Sequence, residues 1–479
     1  MNAPLRRVAL SVLVLFTLLI VNANYIQVVR SDELRNDPGN TRVLAEEYNR
    51  ERGAIVVQGG NEVARSVPTD DTLQYLRQYP EGPLWAPVTG YYSVIFGSRG
   101  IERATNEVLS GTDPRLTLRR LTDLFTGRDP QGGDVVLTLD PAVQRAATSG
   151  LEGVTGAVVA LDPTTGAVLG MASTPSYDPN RLSSHDPDAI RAYAEELEAA
   201  ERDPRLNRAI SDNYPPGSVF KVIVSAAALE SGLEPDTEIP APDVLTLPGT
   251  STELENFGGS TCDPDERQPL IEALTISCNT AFALLGIEVG EDALRETAER
   301  FGMDGEERSI PLPVEPSGIG DPQDDAQLAV TSIGQQDVVV TPLQAAMIAA
   351  AVANDGRLMQ PYMVDQLRAP DLTVIDRTEP EVLSEATSED VAADLTEMMR
   401  SVVENGSGQA ARIEGVEVAG KTGTAENAGP DHNWFVGFAP ADDPQIAVAV
   451  FVANGGGTGG EISAPIARDV LAAYLERGR

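Results

Sequence analysis

Lysine occurs at only two positions in the 479-residue chain, Lys221 and Lys421, and every other one of the 35 basic residues is arginine. A guanidinium stays charged, whereas a desolvated lysine amine can release its proton and act as a base. Lys221 closes the run Ser218-Val219-Phe220-Lys221, and Lys421 opens the run Lys421-Thr422-Gly423-Thr424. Between them stands Ser277-Cys278-Asn279. The chemistry on offer is a serine hydroxyl activated by a nearby amine, with further hydroxyl, amide and ammonium groups for proton relay and anion binding.

Each run implies an element that positions it. Tyr214-Pro215-Pro216-Gly217 cannot be helical, while the sequence from Ser218 onward can be. Ser218 therefore falls at a helix N-terminus, where unpaired N–H groups favour developing negative charge. Lys221 shares its helical face and can reach Ser218 Oγ. The apolar run from Val222 buries that helix, so Lys221 loses solvent and its pKa drops. Alone, such a pair also describes an ordinary helix start with a snorkelling lysine. Ser277 follows a helical stretch at 269–276. Its hydroxyl can pass a proton to a leaving amine, and Asn279 can hold a substrate amide. Lys421 follows a strand at 416–419. Gly423 would let a substrate backbone lie against that strand, and Lys421 with Thr422 or Thr424 suits a terminal carboxylate.

Around these motifs the chain divides into three parts. Residues 1–30 carry Arg6-Arg7 and an apolar run at 8–21 that extends weakly to Val29, about long enough to span a bilayer. The two arginines predict a cytoplasmic start and an exported remainder; a cleaved signal peptide ending near Val21-Asn22-Ala23 is the alternative. Residues 31–152 are polar and irregular, with strands predicted at 52–57, 61–65 and 134–139 and a helix at 142–151 started by Asp140-Pro141. From 153 to 479 the pattern is mixed α and β, with hairpins predicted at 156–172 and 434–452, helices at 222–231 and 341–354, and an amphipathic helix at 465–475.

Acidic residues number 73, and the formal net charge is −38. That excludes a nucleic-acid partner, which needs a basic face. The acid excess fits adaptation to high salt or a bias of base composition equally well. The spacing of cysteines and histidines gives no metal site. Cys262 and Cys278 could bridge in an exported protein or remain thiols, with Cys278 a buried one. His432 is read as structural. His185, ahead of an acidic helix at 187–202, is read as solvent-facing.

The three motifs, in this order, resemble those of the penicillin-interacting serine acyltransferases. The chain is similar, over nearly its full length, to class B penicillin-binding proteins, the peptidoglycan D,D-transpeptidases, and most to the actinobacterial penicillin-binding protein A group. Asn207-Arg208-Ala209, Gly334-Gln335, Thr341-Pro342 and the run from His432 to Pro440 match as well. The resemblance implies an α/β (α+β) fold: a transpeptidase domain at 153–479, with an antiparallel sheet flanked by helices, on a β-rich, dimerisation-like pedestal at 31–152 and a membrane anchor at 1–30.

It also implies that Ser218 attacks a D-alanyl carbonyl of a peptidoglycan stem peptide, with Lys221 as base. Ser277 then aids departure of D-alanine, Asn279 orients the substrate, Lys421 with Thr422 or Thr424 binds its carboxylate, and the Ser218 and Thr424 N–H groups hold the oxyanion. β-Lactams would acylate the same serine. No cofactor is implied, and a membrane glycosyltransferase is the implied protein partner. D,D-carboxypeptidase, β-lactam sensor and scaffold are the competing activities. The pedestal is short for a glycosyltransferase and has no histidine.

Overall fold

The computed structural model describes residues 2–28, 30, 48–116, 131–305 and 308–478. The opening of the pedestal (31–47) and Val29 lie outside the described residues.

The N-terminal apolar run forms the helix Asn2–Val28, whose stretch from Arg6 to Val28 is long and apolar enough to cross a membrane. Three of its polar side chains turn back on the helix itself. Ser11 Oγ donates to Arg7 O, Thr17 Oγ1 to Leu13 O and Asn24 Nδ2 to Ile20 O. Each of these three donors meets a backbone acceptor within the helix, as an apolar surrounding favours.

Two sheets organise the rest. The first has six strands in the order Val374–Arg377, Val364–Arg368, Asp134–Leu137, Ile55–Val56, Glu62–Pro68, Tyr75–Gln78. The expected turn after 52–57 is present: Ile55–Val56 pairs antiparallel with Glu62–Pro68, and parallel with Asp134–Leu137. Two elements cross the chain division at residue 152. Val364–Arg368 pairs with Asp134–Leu137 and so completes the pedestal sheet from far down the sequence. Conversely, the helix Pro141–Gly150, started by the Asp140 carboxylate accepting from Ala142 N and Val143 N, buries Val143 and Ala147 in the core under the second sheet. The pedestal core is pinned by a buried carboxylate. Glu102 binds Arg52 Nε and Arg77 Nε at 2.6 Å each and accepts from the Tyr79 hydroxyl at 3.1 Å. Such a buried group is tolerated only because every charge on it is matched.

The second sheet is antiparallel and carries the Lys421-Thr422-Gly423-Thr424 run, in the order Ala419–Ala425, His432–Ala439, Ile446–Val452, Gly156–Leu161, Val168–Thr174. Both predicted hairpins are present. Ile446–Val452 reads as an unbroken apolar run because both its faces are covered. Ala447, Ala449 and Phe451 join one core with the helices Lys221–Glu230 and Pro342–Ala353. Ile446, Val448, Val450 and Val452 join the other, with Pro141–Gly150 and Gly459–Leu475. All twelve residues of Pro342–Ala353 are buried. The last helix begins earlier than the predicted 465. Thr458 and Glu461 form a capping box that starts it at Gly459, and Pro465 lies inside it. The strand predicted at 416–419 is also displaced: it runs over Ala419–Ala425, so Lys421-Thr422-Gly423-Thr424 lies within the strand, at the free edge of the sheet.

Candidate active site

The turn before Ser218 is held from two sides. Tyr214 exchanges backbone hydrogen bonds with Val340, its N–H donating at 3.0 Å and its carbonyl accepting at 2.9 Å. Gly217 N–H donates to Gly334 O at 2.9 Å, and Trp434 Nε1 donates to Pro215 O at 2.9 Å. Gly217 has φ +53, and a Cβ on Gly334 would sit 1.9 Å from Gly217 O. This close crossing explains the glycine of the Gly334-Gln335 pair. A 3-10 turn, Gly217–Phe220, then leads into Lys221–Glu230, so Ser218 stands in the first turn of a helical run, half-buried.

Lys221 is fully buried. Its Nζ donates to Ser277 O and Asn279 Oδ1, both at 2.8 Å, and lies 3.4 Å from Ser277 Oγ. The expected contact with Ser218 Oγ is not among its hydrogen bonds. The physical reason is competition: a buried amine takes the carbonyl and amide acceptors of the opposite wall ahead of a half-exposed hydroxyl. Burial, and secondly the charge of Lys421, hold the Lys221 amine well below the usual lysine range. A neutral amine has two N–H donors and one lone pair. The two 2.8 Å acceptors match those donors and leave the lone pair free to take a proton.

Lys421 is equally buried, and its Nζ donates to Ser277 Oγ at 2.9 Å and Thr422 O at 3.0 Å. Burial lowers its pKa to about 7. Ser277 Oγ thus accepts from Lys421, with the Lys221 amine 3.4 Å away, and keeps its own proton to give away. It ends the helix Leu270–Ile276 in the left-handed region, at φ 66 and ψ 41. For a serine that conformation costs about 1–3 kcal/mol and persists only where surrounding contacts fix it.

Those contacts include residues that carry no signature in the sequence. Asn256 Oδ1 accepts from Asn279 N at 2.9 Å, Thr280 N at 3.1 Å and Thr280 Oγ1 at 3.3 Å, capping the helix Asn279–Val289 from a separate loop. Cys262 and Cys278 are joined, with Cα atoms 5.9 Å apart, and tie the middle residue of the second motif to the same loop. Ser407 Oγ lies 2.6 Å from Thr422 Oγ1. Thr424 Oγ1 accepts from Gly459 N at 3.2 Å. A serine between two glycines and an isolated asparagine look like loop residues. Only the third dimension gives them a role.

Two readings change in detail and one holds. Gly423 is required by the nucleophile turn itself: a Cβ there would lie 2.6 Å from Pro216 O and 3.0 Å from Val219 Cγ2. His432 is structural, as expected; its Nδ1 accepts from Asn454 N at 3.1 Å, and its ring packs edge-on against Tyr214 and Phe451. His185 is not solvent-facing. Its side chain is 12 % exposed and Nδ1 pairs with Asp71 Oδ2 at 2.7 Å, because the chain before helix Pro187–Glu198 folds back onto the pedestal.

The Asn256 bridge generates a test. Asn256→Ala leaves three donors without an acceptor, at about 1–3 kcal/mol, and is expected to slow acylation of Ser218 by a β-lactam roughly tenfold, an effect of about 1.4 kcal/mol on the barrier. Asn256→Asp keeps the acceptor and recovers most of the rate. Equal rates in wild type and Asn256→Ala, measured by stopped-flow or gel-based acylation, would contradict this role.

Comparison with known proteins agrees with this geometry. The penicillin binding protein transpeptidase domain matches residues 156–472, and the penicillin binding protein A dimerisation domain matches residues 52–135. The chain is 49% identical over 492 residues to the peptidoglycan D,D-transpeptidase PbpA of Mycolicibacterium smegmatis, covering 100% of both chains. It is 46% identical over 490 residues to PbpA of Mycobacterium tuberculosis, covering 99% of each. Among solved structures, the ceftriaxone acyl-enzyme of penicillin-binding protein A from M. tuberculosis superposes with a TM-score of 0.88 at 46% identity, over 90% of this chain and 100% of that one. The penicillin G acyl-enzyme gives 0.86 at 45%, over 89% and 100%. The buried lysine pair, the serine at the helix start and the motif strand at the sheet edge are therefore those of a class B penicillin-binding protein, the family to which this chain belongs.

Proposed function

We propose that this chain is a peptidoglycan D,D-transpeptidase that works through an acyl-enzyme at Ser218 and is inhibited by β-lactams. The observation that carries the reading is the meeting of Lys221 and Lys421 on Ser277, with Lys221 three residues along the helical run from Ser218. Relatives named for this activity, and solved as β-lactam acyl-enzymes, support it.

The steps follow from proton positions. Ser218 Oγ attacks the penultimate D-alanyl carbonyl as its proton passes to the Lys221 amine. The tetrahedral oxyanion accepts from the Ser218 and Thr424 N–H groups, which act on charge that exists only at that point. The C–N bond then breaks as Ser277 donates its proton to the leaving D-alanine amine and regains one from the lysines. Charged Lys421, with Thr422 or Thr424, binds the substrate carboxylate, and Asn279 orients its amide. An acceptor amine on a second stem peptide attacks the ester and loses its proton to Lys221, which returns a proton to Ser218 Oγ as the ester C–O bond breaks. With a β-lactam the broken amide is in the ring, so the leaving amine stays attached.

The remaining parts of the proposal concern setting. Arg6 and Arg7 ahead of the apolar helix favour a cytoplasmic N-terminus and an extracytoplasmic catalytic domain. The chain divides into anchor (1–30), pedestal (31–152) and transpeptidase domain (153–479). Pedestal and anchor are the surfaces for a membrane glycosyltransferase partner.

Two experiments test this. Intact mass of the full-length protein with benzylpenicillin is expected to show one long-lived adduct that Ser218→Ala lacks. No adduct, or an adduct on the variant, would contradict it. With a stem pentapeptide and an amine acceptor, D-alanine release should be matched by cross-linked product; release with hydrolysed peptide alone indicates a carboxypeptidase.

The pH dependence has a definite sign. Lys221 acts when neutral, so acylation climbs as pH rises through its lowered pKa. Lys421 binds a carboxylate when charged, so acylation falls as pH rises past about 7. Lys421→Arg stays charged and is expected to be slower but to lose the falling limb. A variant that keeps that limb would contradict the assignment.

A further inference from the structure

Ser407 has no part in the proposed steps, yet its hydroxyl touches the third motif. Ser407 Oγ lies 2.6 Å from Thr422 Oγ1, the one hydrogen bond of the Thr422 hydroxyl among the described residues. The loop that carries Ser407 is clasped from two sides. Its N–H donates at 3.2 Å to the carbonyl of Thr275, two residues before Ser277, and a Cβ on Gly406 would sit 2.0 Å from that same carbonyl. On the other side, a Cβ on Gly460 in the first turn of the last helix would sit 2.3 Å from Ser407 O. Thr422 is 5 % exposed, on a strand paired along its length to His432–Ala439, whereas Ser407 is exposed. Both backbones are fixed, so the short separation of the two hydroxyls is held from both ends.

Two hydroxyls carry two protons, and the hydrogen bond between them uses one. The other is left to give. Thr424 shows the same arrangement without ambiguity, since its Oγ1 accepts from a backbone N–H, that of Gly459, and keeps its own proton. For the Ser407–Thr422 pair an anion decides the direction. A carboxylate only accepts, so one bound at Thr422 takes the Thr422 proton and leaves Ser407 as the donor. We propose that Ser407 is a positioning residue for the substrate carboxylate: its O–H donates to Thr422 Oγ1 and so aims the Thr422 O–H at the ligand. Two hydrogen bonds in line polarise one another, which strengthens the one that ends on the anion. The inference rests on the proposed reading in which Lys421 and a threonine of its strand hold that carboxylate, and it assigns the threonine as Thr422.

The test compares second-order acylation rates of full-length protein, in a nonionic detergent, with benzylpenicillin and with its methyl ester, which lacks the anion. Wild type is expected to react faster with the acid than with the ester. Ser407→Ala is expected to lower the acid rate about fivefold, the worth of one hydrogen bond, and to leave the ester rate as in wild type. Ser407→Thr keeps the hydroxyl and is expected to restore the wild-type ratio of acid to ester. An unchanged acid rate in Ser407→Ala, with wild type still preferring the acid, would overturn the role of Ser407 and leave the carboxylate reading standing. An equal loss with acid and ester would make Ser407 a brace for the loop and overturn the proposal. No preference for the acid in wild type would overturn the carboxylate reading itself, and this inference with it.

Discussion

Two lysines brought out of water against one serine hydroxyl set the terms for the rest of this protein. Both lysine side chains are fully buried, and both reach Ser277. Desolvation is the main cost of charging each amine, and the charge of Lys421 adds to it for Lys221. The pair therefore gives up a proton more readily than either lysine would alone. In the proposed mechanism that shared deficit lets one amine act as a base while its neighbour serves as a cation. An arginine at either place would stay charged and remove the choice.

The scaffold is explained by what it costs to hold that arrangement. Ser277 sits in a backbone region that serine avoids, so it needs a helix behind it, Asn256 alongside, and a covalent tie at the next residue. Lys421 needs a strand that cannot tilt, and Ala419–Ala425 is paired along its length to His432–Ala439, whose other edge is Ile446–Val452. Ser218 needs a turn pressed into that strand closely enough that only glycine fits at Gly423. Two apolar cores, one on each face of the sheet, fix these three pieces in one frame.

How much of this was legible in the sequence depends on range. The motifs, the hairpins at 156–172 and 434–452 and the buried helices follow from local pattern, because apolar periodicity and turn residues act over a few positions. The start of the last helix at Gly459 was missed because Pro465 looked like a first-turn proline, while the true cap, Thr458 with Glu461, lay in a glycine-rich stretch. The motif strand was placed too early because Lys421-Thr422-Gly423-Thr424 is not apolar, although the sheet edge accepts it. Long-range facts were not legible at all: residues 364–368 completing the pedestal sheet, Asn256 bracing Asn279, and His185 folded onto Asp71. Lys221 facing Ser277 and Asn279 in place of Ser218 belongs with them, since it depends on acceptors 56 and 58 residues away.

The most direct measurement is a pH titration of the lysine side chains by NMR, on full-length protein carrying lysine labelled at Cε and Nζ. With two lysines in the chain, two signals are expected, and their midpoints belong to the coupled pair. The account predicts that both titrate clearly below the usual lysine value near 10.4, with a midpoint at about 7 on the Lys421 side. Two signals that titrate together near 10.4 would mean that neither amine is neutral at working pH, and the shared-proton basis of the site would fail.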